Sequence, residues 1–234
     1  MATSTDLSAE RRIPLSKERV LTAAVALADE GGIESLTMRK LAHELGVEAM
    51  SLYNHVANKE DILDGIVDSI ASEIEESVGG FDAPADGSDW QAAVRKRILT
   101  AREVMLRHPW APGVLETRTT MSPVMLRYFD SLLGLVREGG FSYDLAHHGM
   151  HTLGTRALGF SHELFEPGDA EEADEEAMLM LKRMADQIPY VVEMMTEIVH
   201  DDPDTTLGWC DDQTEFEFSL DLILGGLERL RTTA

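Results

Sequence analysis

Two short runs of helical periodicity meet at Glu44-Leu45-Gly46-Val47-Glu48-Ala49, and that junction constrains the fold more than any other feature of the chain. Over 37–45, Met38, Leu41, Ala42 and Leu45 share one stripe, and Gly46 supplies the left-handed residue that a tight turn needs. Val47 fills the space between the two runs. Ala49, Leu52, Tyr53 and Val56 then recur at steps of three and four. Two helices joined by so short a turn form a helix-turn-helix, whose second helix can enter a DNA major groove. Leu52 falls on the inward face, and Glu48, Met50, Ser51, Asn54 and His55 on the outward one.

Every other periodic segment also reads as helix, so the expected fold class is all-α. Ser16 is an N-cap candidate for a helix with Val20, Ala24, Leu27 and Ala28 on one stripe, stopped by Gly31 and Gly32. Asn58 can cap the next helix after the motif, where Ile62, Ile66, Ile70 and Ile74 recur every four residues. The Gly-, Pro- and Asp-rich stretch 79–89 reads as a linker. Beyond it the spacing predicts helices over 90–107, 122–138, 143–165 and 213–230, with a break at "HPWAPG". A methionine-rich helix containing Met178, Met180, Met184, Met194 and Met195 is expected to kink at Pro189. The domains expected are an N-terminal helix-turn-helix unit over 15–78, a linker over 79–89 and a larger helical body over 90–234.

Charge sharpens this division. The chain carries a formal −23, yet residues 1–60 hold 7 Lys or Arg against 9 Asp or Glu, and the remainder 13 against 34. So acidic a body repels phosphate and argues against broad nucleic-acid binding, whereas a near-neutral head with placed cations can still bind DNA. One cysteine, Cys210, excludes an internal disulfide framework. No run approaches the ~20 apolar residues of a membrane span, and the N-terminus lacks the apolar core of a signal peptide, so a cytoplasmic location is expected.

The stretch "LTMRKLAHELGVEAMSLYNHVANKEDILD", 36–64, resembles the DNA-binding head of the tetracycline-repressor family. The likeness includes Thr37, the Gly46-Val47 turn, the Leu52-Tyr53 pair, His55 and Lys59, and it is dense over 15–78. "TR" at 117, "GGFS" at 139, "TLG" at 152 and "LGGLE" at 224 are similar to the family's C-terminal regulatory domain. The resemblance implies a DNA-binding set of Thr37, Met38, Arg39, Ala49, Met50, Ser51, Tyr53, Asn54, His55 and Lys59. Tyr53, His55 and Lys59 would grip phosphates, Lys59 at a helix N-terminus that itself favours an anion. Arg39 can pair with guanine O6 and N7. Met50 would touch a thymine methyl or only fill space. Taken singly, each has a plainer reading: Tyr53 a packed aromatic, His55 a surface histidine, Lys59 a solvated charge, Arg39 a partner for Glu44 or Glu48.

The resemblance further implies a small-molecule effector in the body, no cofactor, a palindromic operator as partner and a homodimer formed by the helices near 143–165 and 213–230. Leu220, Ile223, Leu224 and Leu227, with Gly225-Gly226 beside them, read as the dimer stripe. Trp110, Thr117, Phe129, His147, His151 and Thr155 are the effector-contact candidates. His147 and His151 also stand at the i, i+4 spacing of metal ligands, but the further ligands a metal needs are not evident. Helix packing or a subunit seam accounts for them as well. Tetracycline repressors hold a magnesium–drug chelate with histidines, an asparagine and a glutamine. The nearest places here read Glu75, Arg97, Leu115 and Asp130, and only Thr117 is kept, so a different effector is expected. Two other classes stand as alternatives: an α-helical enzyme using the same pocket, for which no catalytic spacing is present, and a scaffold using the motif for protein contacts.

Overall fold

The computed structural model describes residues 14–79, 89–159, 179–180, 183–197 and 212–233. Among them are ten α-helices and no strand. They are α1 (Lys17–Gly31), α2 (Met38–Glu44), α3 (Ala49–Leu52), α4 (Lys59–Val78), α5 (Trp90–Arg107), α6 (Ala111–Glu116), α7 (Pro123–Glu138), α8 (Tyr143–Gly159), α9 (Pro189–Glu197) and α10 (Asp212–Thr233). The chain divides into two compact units, 1–81 with 100–132 and 82–99 with 133–234, so α5 and α7 each contribute to both.

In the first unit, the helix starts follow the capping residues. Ser16 Oγ accepts from Arg19 N, Thr37 Oγ1 from Lys40 N and Asn58 Oδ1 from Asp61 N, each satisfying an amide that the helix leaves orphaned. Val20, Ala24, Leu27 and Ala28 of α1 bury against Leu41, Ala42, Leu52 and the isoleucine row of α4, with Ile66 fully buried and Ile62, Ile70 and Ile74 nearly so. Each valine, leucine or isoleucine among them contributes about 1.5–3 kcal/mol relative to exposure. Gly65 lets α1 and α4 approach, since a Cβ there would stand 2.5 Å from Leu21 Cδ2. Ala101 and Val104 of α5, Trp110, Ala111 and Val114 at α6, and Met125 of α7 complete the same core.

One surface pair in this unit sets an acid response. Lys17 Nζ lies 2.8 Å from Asp61 Oδ1, and Ala57 N donates to Asp61 Oδ2. The lysine's hydrogen bond, then the amide's, hold the Asp61 carboxyl below its ordinary 3.8. A carboxylate depressed on folding stabilises the protein above its unfolded pKa, and the contribution is lost as pH falls through the folded value. Asp61→Asn is therefore expected to lower the melting temperature at neutral pH and to flatten the decline below about pH 4. A Tm-versus-pH curve whose acid limb matches that of the native chain would rule this out.

In the second unit, Trp90 stacks edge-on against Phe141 with ring centroids 4.5 Å apart, and its indole N donates to Glu228 at 3.0 Å. Gly139 permits this contact, because a Cβ there would meet Trp90 Cγ at 2.7 Å. Phe216, Leu220, Leu224 and Leu227 of α10 are buried within the protomer, as are Ala146 and Leu153 of α8. Arg95 reaches Glu217 at 2.6 Å and Asp221 at 2.8 Å.

Four expectations change. The "HPWAPG" break contains α6, because a proline in a helix's first turn lacks only an N–H that would have no partner there. Pro189 opens α9 after a turn at 185–187 instead of kinking a continuous helix, so Met184 and Met194 belong to separate segments; Met178 lies outside the described residues. The second helix of the motif is a single turn, 49–52, with Tyr53, Asn54 and His55 following it. Leu220, Leu224 and Leu227 face their own protomer, while Phe218 and Leu222 are the exposed apolar residues of α10, each 61% accessible. The stretch 160–165, expected to continue α8, lies outside the described residues.

Candidate nucleic-acid interface

The turn between α2 and α3 forms as its residues require. Gly46 takes φ 65°, the left-handed region, and Val47 N donates to Ala42 O at 2.9 Å across the junction. Leu41 and Leu52 are fully buried beneath it, which fixes α3 against α2 and turns the remaining side chains outward. Arg39, Met50, Tyr53, Asn54 and Lys59 are exposed, Met50 at 73%. Thr37 is exposed too, its oxygen already accepting from Lys40 N but its hydroxyl proton still able to reach a phosphate. Ser51 and His55 are half-buried. Met38 and Ala49 are half-buried and pack against the core, so they support the surface more than they extend it.

Arg39 makes no ion pair with Glu44 or Glu48, and Lys59 pairs with no carboxylate among the described residues. Both cations are therefore available to an anionic partner. Lys59 is the first residue of the 20-residue α4, where backbone amides add a partial positive charge. Lys40, also exposed, is a further cation of α2, its ammonium turned toward Gly31 at the end of α1.

The effector-contact candidates fall in different units. Trp110, Thr117 and Phe129 belong to the first. Trp110 is 8% exposed and its indole N donates to Asp29 Oδ1 at 2.6 Å. Phe129 packs edge-on against Tyr128 at 5.6 Å. Thr117 is exposed, its hydroxyl donating to Val114 O at 2.6 Å and its oxygen accepting from Arg118 Nη2 at 2.9 Å. His147, His151 and Thr155 belong to the second unit and are exposed on α8, with the two imidazole centroids 4.5 Å apart. No group of three or more His, Cys, Asp or Glu side chains placed to hold a metal exists among the described residues.

Two polar clusters of the first unit had no signal in the sequence, because each joins residues at least 34 positions apart. Arg118 Nη1 lies 2.9 Å from Glu60 and 3.0 Å from Asp64 of α4. His108 lies with Nδ1 2.7 Å from Asp29 and Nε2 3.2 Å from Glu73, and Arg107 reaches Glu73 at 2.6 Å. That Arg107 bond, opposed by burial and aided by His108, holds the Glu73 carboxyl below its ordinary 4.5.

Residues 83–231 match the family described as "Tetracyclin repressor-like, C-terminal domain", and residues 20–66 match "Bacterial regulatory proteins, tetR family". The transcriptional repressor DrrR1 of Streptomyces coeruleorubidus is 35% identical over 130 residues, 55% of this chain and 46% of that protein. The chain spans about half the length of this repressor and of a transcriptional regulator of Saccharopolyspora erythraea that it also matches. The class C tetracycline repressor of Escherichia coli is 28% identical over 94% of this chain and 93% of its own length. Among solved structures, the TetR family protein ActR of Streptomyces coelicolor in complex with (S)-DNPA superposes with a TM-score of 0.70 at 25% identity, covering 92% of this chain and 98% of that one.

Proposed function

Since the chain belongs to the tetracycline-repressor family, we propose that it is a homodimeric transcriptional repressor that leaves a palindromic operator when a small molecule binds. The observation that carries this reading is the outward set on the helix-turn-helix, in which Arg39, Tyr53, Asn54 and Lys59 are exposed around the buried Leu41 and Leu52. Arg39 reads a base, and Thr37, Tyr53, His55 and Lys59 position the duplex by its phosphates. The head is the segment 15–78, and the body 90–234 carries effector binding and dimerisation. Phe218 and Leu222 of α10 supply the apolar part of the dimer seam. A two-fold dimer meets half-sites about 34–36 Å apart or a multiple of that.

The effector differs from the magnesium–tetracycline chelate, because Glu75, Arg97, Leu115 and Asp130 stand where that chelate needs histidine, asparagine and glutamine. Trp110 and Phe129 favour a largely apolar, aromatic molecule. No helix among the described residues is long and apolar enough to cross a membrane, and the proposed site of action is the cytoplasm. An enzyme reading gains nothing from the matched families, which are regulators.

The direct test is binding to operator variants across a salt series. Arg39→Ala is expected to cost about 1–3 kcal/mol on the preferred site and to relax base choice at one position per half-site. Lys59→Ala should weaken all sequences alike and reduce the salt slope by about one phosphate contact per subunit. Native affinity in both variants would refute the interface; a folded dimer that binds no DNA would favour a protein scaffold.

A further inference from the structure

The N-terminal end of α4 carries charge ill suited to a phosphate contact. Its first six residues hold one cation, Lys59, and three carboxylates, Glu60, Asp61 and Asp64. Lys17 engages Asp61. Arg118, which follows α6, engages the other two through a single nitrogen, 2.9 Å from Glu60 Oε2 and 3.0 Å from Asp64 Oδ1. With both cations in place, this end of the helix is neutral. The guanidinium is well fixed: its side chain is 13% exposed, while those of Glu60 and Asp64 are 67% and 58% exposed. Burial works against its charge, yet the hydrogen bonds to Asp64 and Glu60 outweigh that and raise its pKa. Thr117 orients it, the hydroxyl oxygen accepting from Arg118 Nη2 and from Nε at 3.2 Å.

We propose that Arg118 is a charge gate on operator binding. While it covers Glu60 and Asp64, Lys59 meets a phosphate at a helix end whose charges, its own included, sum to zero. An effector that engages the Thr117 hydroxyl removes the oxygen that orients the guanidinium, and Arg118 leaves the two carboxylates. They then face the operator uncompensated, next to the residue that grips it, within the ~10 Å over which charges are felt at 0.1 M salt. The repulsion acts in both heads of a dimer. This gate depends on charge alone and needs no change in the spacing of the heads. It rests on the proposed roles of Lys59 as phosphate contact and Thr117 as effector contact.

The experiment uses the full chain and a palindromic duplex that the chain itself selects from random sequence. Arg118→Ala is expected to weaken binding about tenfold at low salt, with the loss shrinking as salt screens the exposed carboxylates. Arg118→Lys should retain most of the affinity. The decisive variant adds Glu60→Gln and Asp64→Asn to Arg118→Ala. Recovery of tight binding identifies charge as the cause, whereas a triple variant as weak as Arg118→Ala would overturn the gate and leave Arg118 a packing residue. Should Arg118→Ala fail to fold, Glu60→Gln with Asp64→Asn in the otherwise native chain decides: binding at least as tight as native is expected, and weaker binding overturns the proposal. Lys59→Ala, run in parallel, separates the two readings. Native affinity there would remove the phosphate contact itself, whatever Arg118 does.

Discussion

Leu224→Arg is expected to prevent the chain from folding stably, by placing a cation inside the second unit's own core. Leu224 is 3% exposed on α10, in a row with the fully buried Phe216 and Leu220 and the nearly buried Leu227. Its carbonyl accepts from Gln91 Nε2 at 3.2 Å, which ties α10 to the start of α5 within that unit. An arginine there loses the leucine's packing and buries a charge whose acceptor would have to be carried in with it. Changes of this kind exceed about 4–5 kcal/mol and belong to the exceptional class of single substitutions. In a chain of this size that corresponds to a fall in Tm of about 10 °C or more, or to insoluble protein. Leu222→Arg, two residues away and 61% exposed, should change protomer stability by less than about 0.5 kcal/mol and act only on self-association. Thermal melting and light scattering on the pair separate the two faces of the helix. A Leu224→Arg protein with native melting would show that the leucine row is not core.

That contrast marks what periodicity can and cannot carry. The stripe Val20, Ala24, Leu27 and Ala28, the isoleucine row of α4, and the caps Ser16, Thr37 and Asn58 were legible because each is a local pattern with a local cause. Gly46 was legible because few other residues tolerate its backbone angle. On α10 the same period marked an apolar face but not the partner that covers it. The row proved to be covered by its own protomer, and Phe218 and Leu222, which do not continue the row, are the exposed ones. α6 was hidden because Pro109 and Pro112 read as breakers unless the helix is known to begin beside them. Of the DNA-facing set, helical periodicity placed Met50, Ser51, Asn54 and His55 on the outward face, whereas Arg39, Tyr53 and Lys59 entered by family resemblance and prove exposed. Met38 and Ala49 entered by family resemblance and prove half-buried. The carboxylate contacts of Arg118 and His108 span 35 to 79 residues, and no local pattern encodes a partner so distant.

The His108 cluster gives the second large effect, expected for Asp29→Ala. One oxygen of Asp29 faces His108 Nδ1 at 2.7 Å and accepts from the Trp110 indole N–H at 2.6 Å. Glu73 stands on the other side of the imidazole, with Arg107 beside it. A neutral imidazole has one N–H and can donate to only one of these carboxylates, whereas the imidazolium donates to both. The cluster joins three elements of the first unit: α1 through Asp29, α4 through Glu73 and the α5–α6 turn through His108 and Trp110. Removing the Asp29 carboxylate leaves the Trp110 indole N–H and His108 Nδ1 without the oxygen they share, on side chains only 8% and 7% exposed. Each unsatisfied buried donor costs about 1–3 kcal/mol, and because Asp29 itself is a third exposed, water recovers part of the loss. The expected net loss is about 2–4 kcal/mol. Asp29→Asn should lose less, since its amide oxygen still accepts from the indole N–H and only the carboxylate charge is lost. Urea unfolding followed by helical circular dichroism supplies the midpoints. The order native, Asp29→Asn, Asp29→Ala is the expected one, and an Asp29→Ala midpoint equal to native would mean that packing alone holds the α5–α6 turn against α1 and α4.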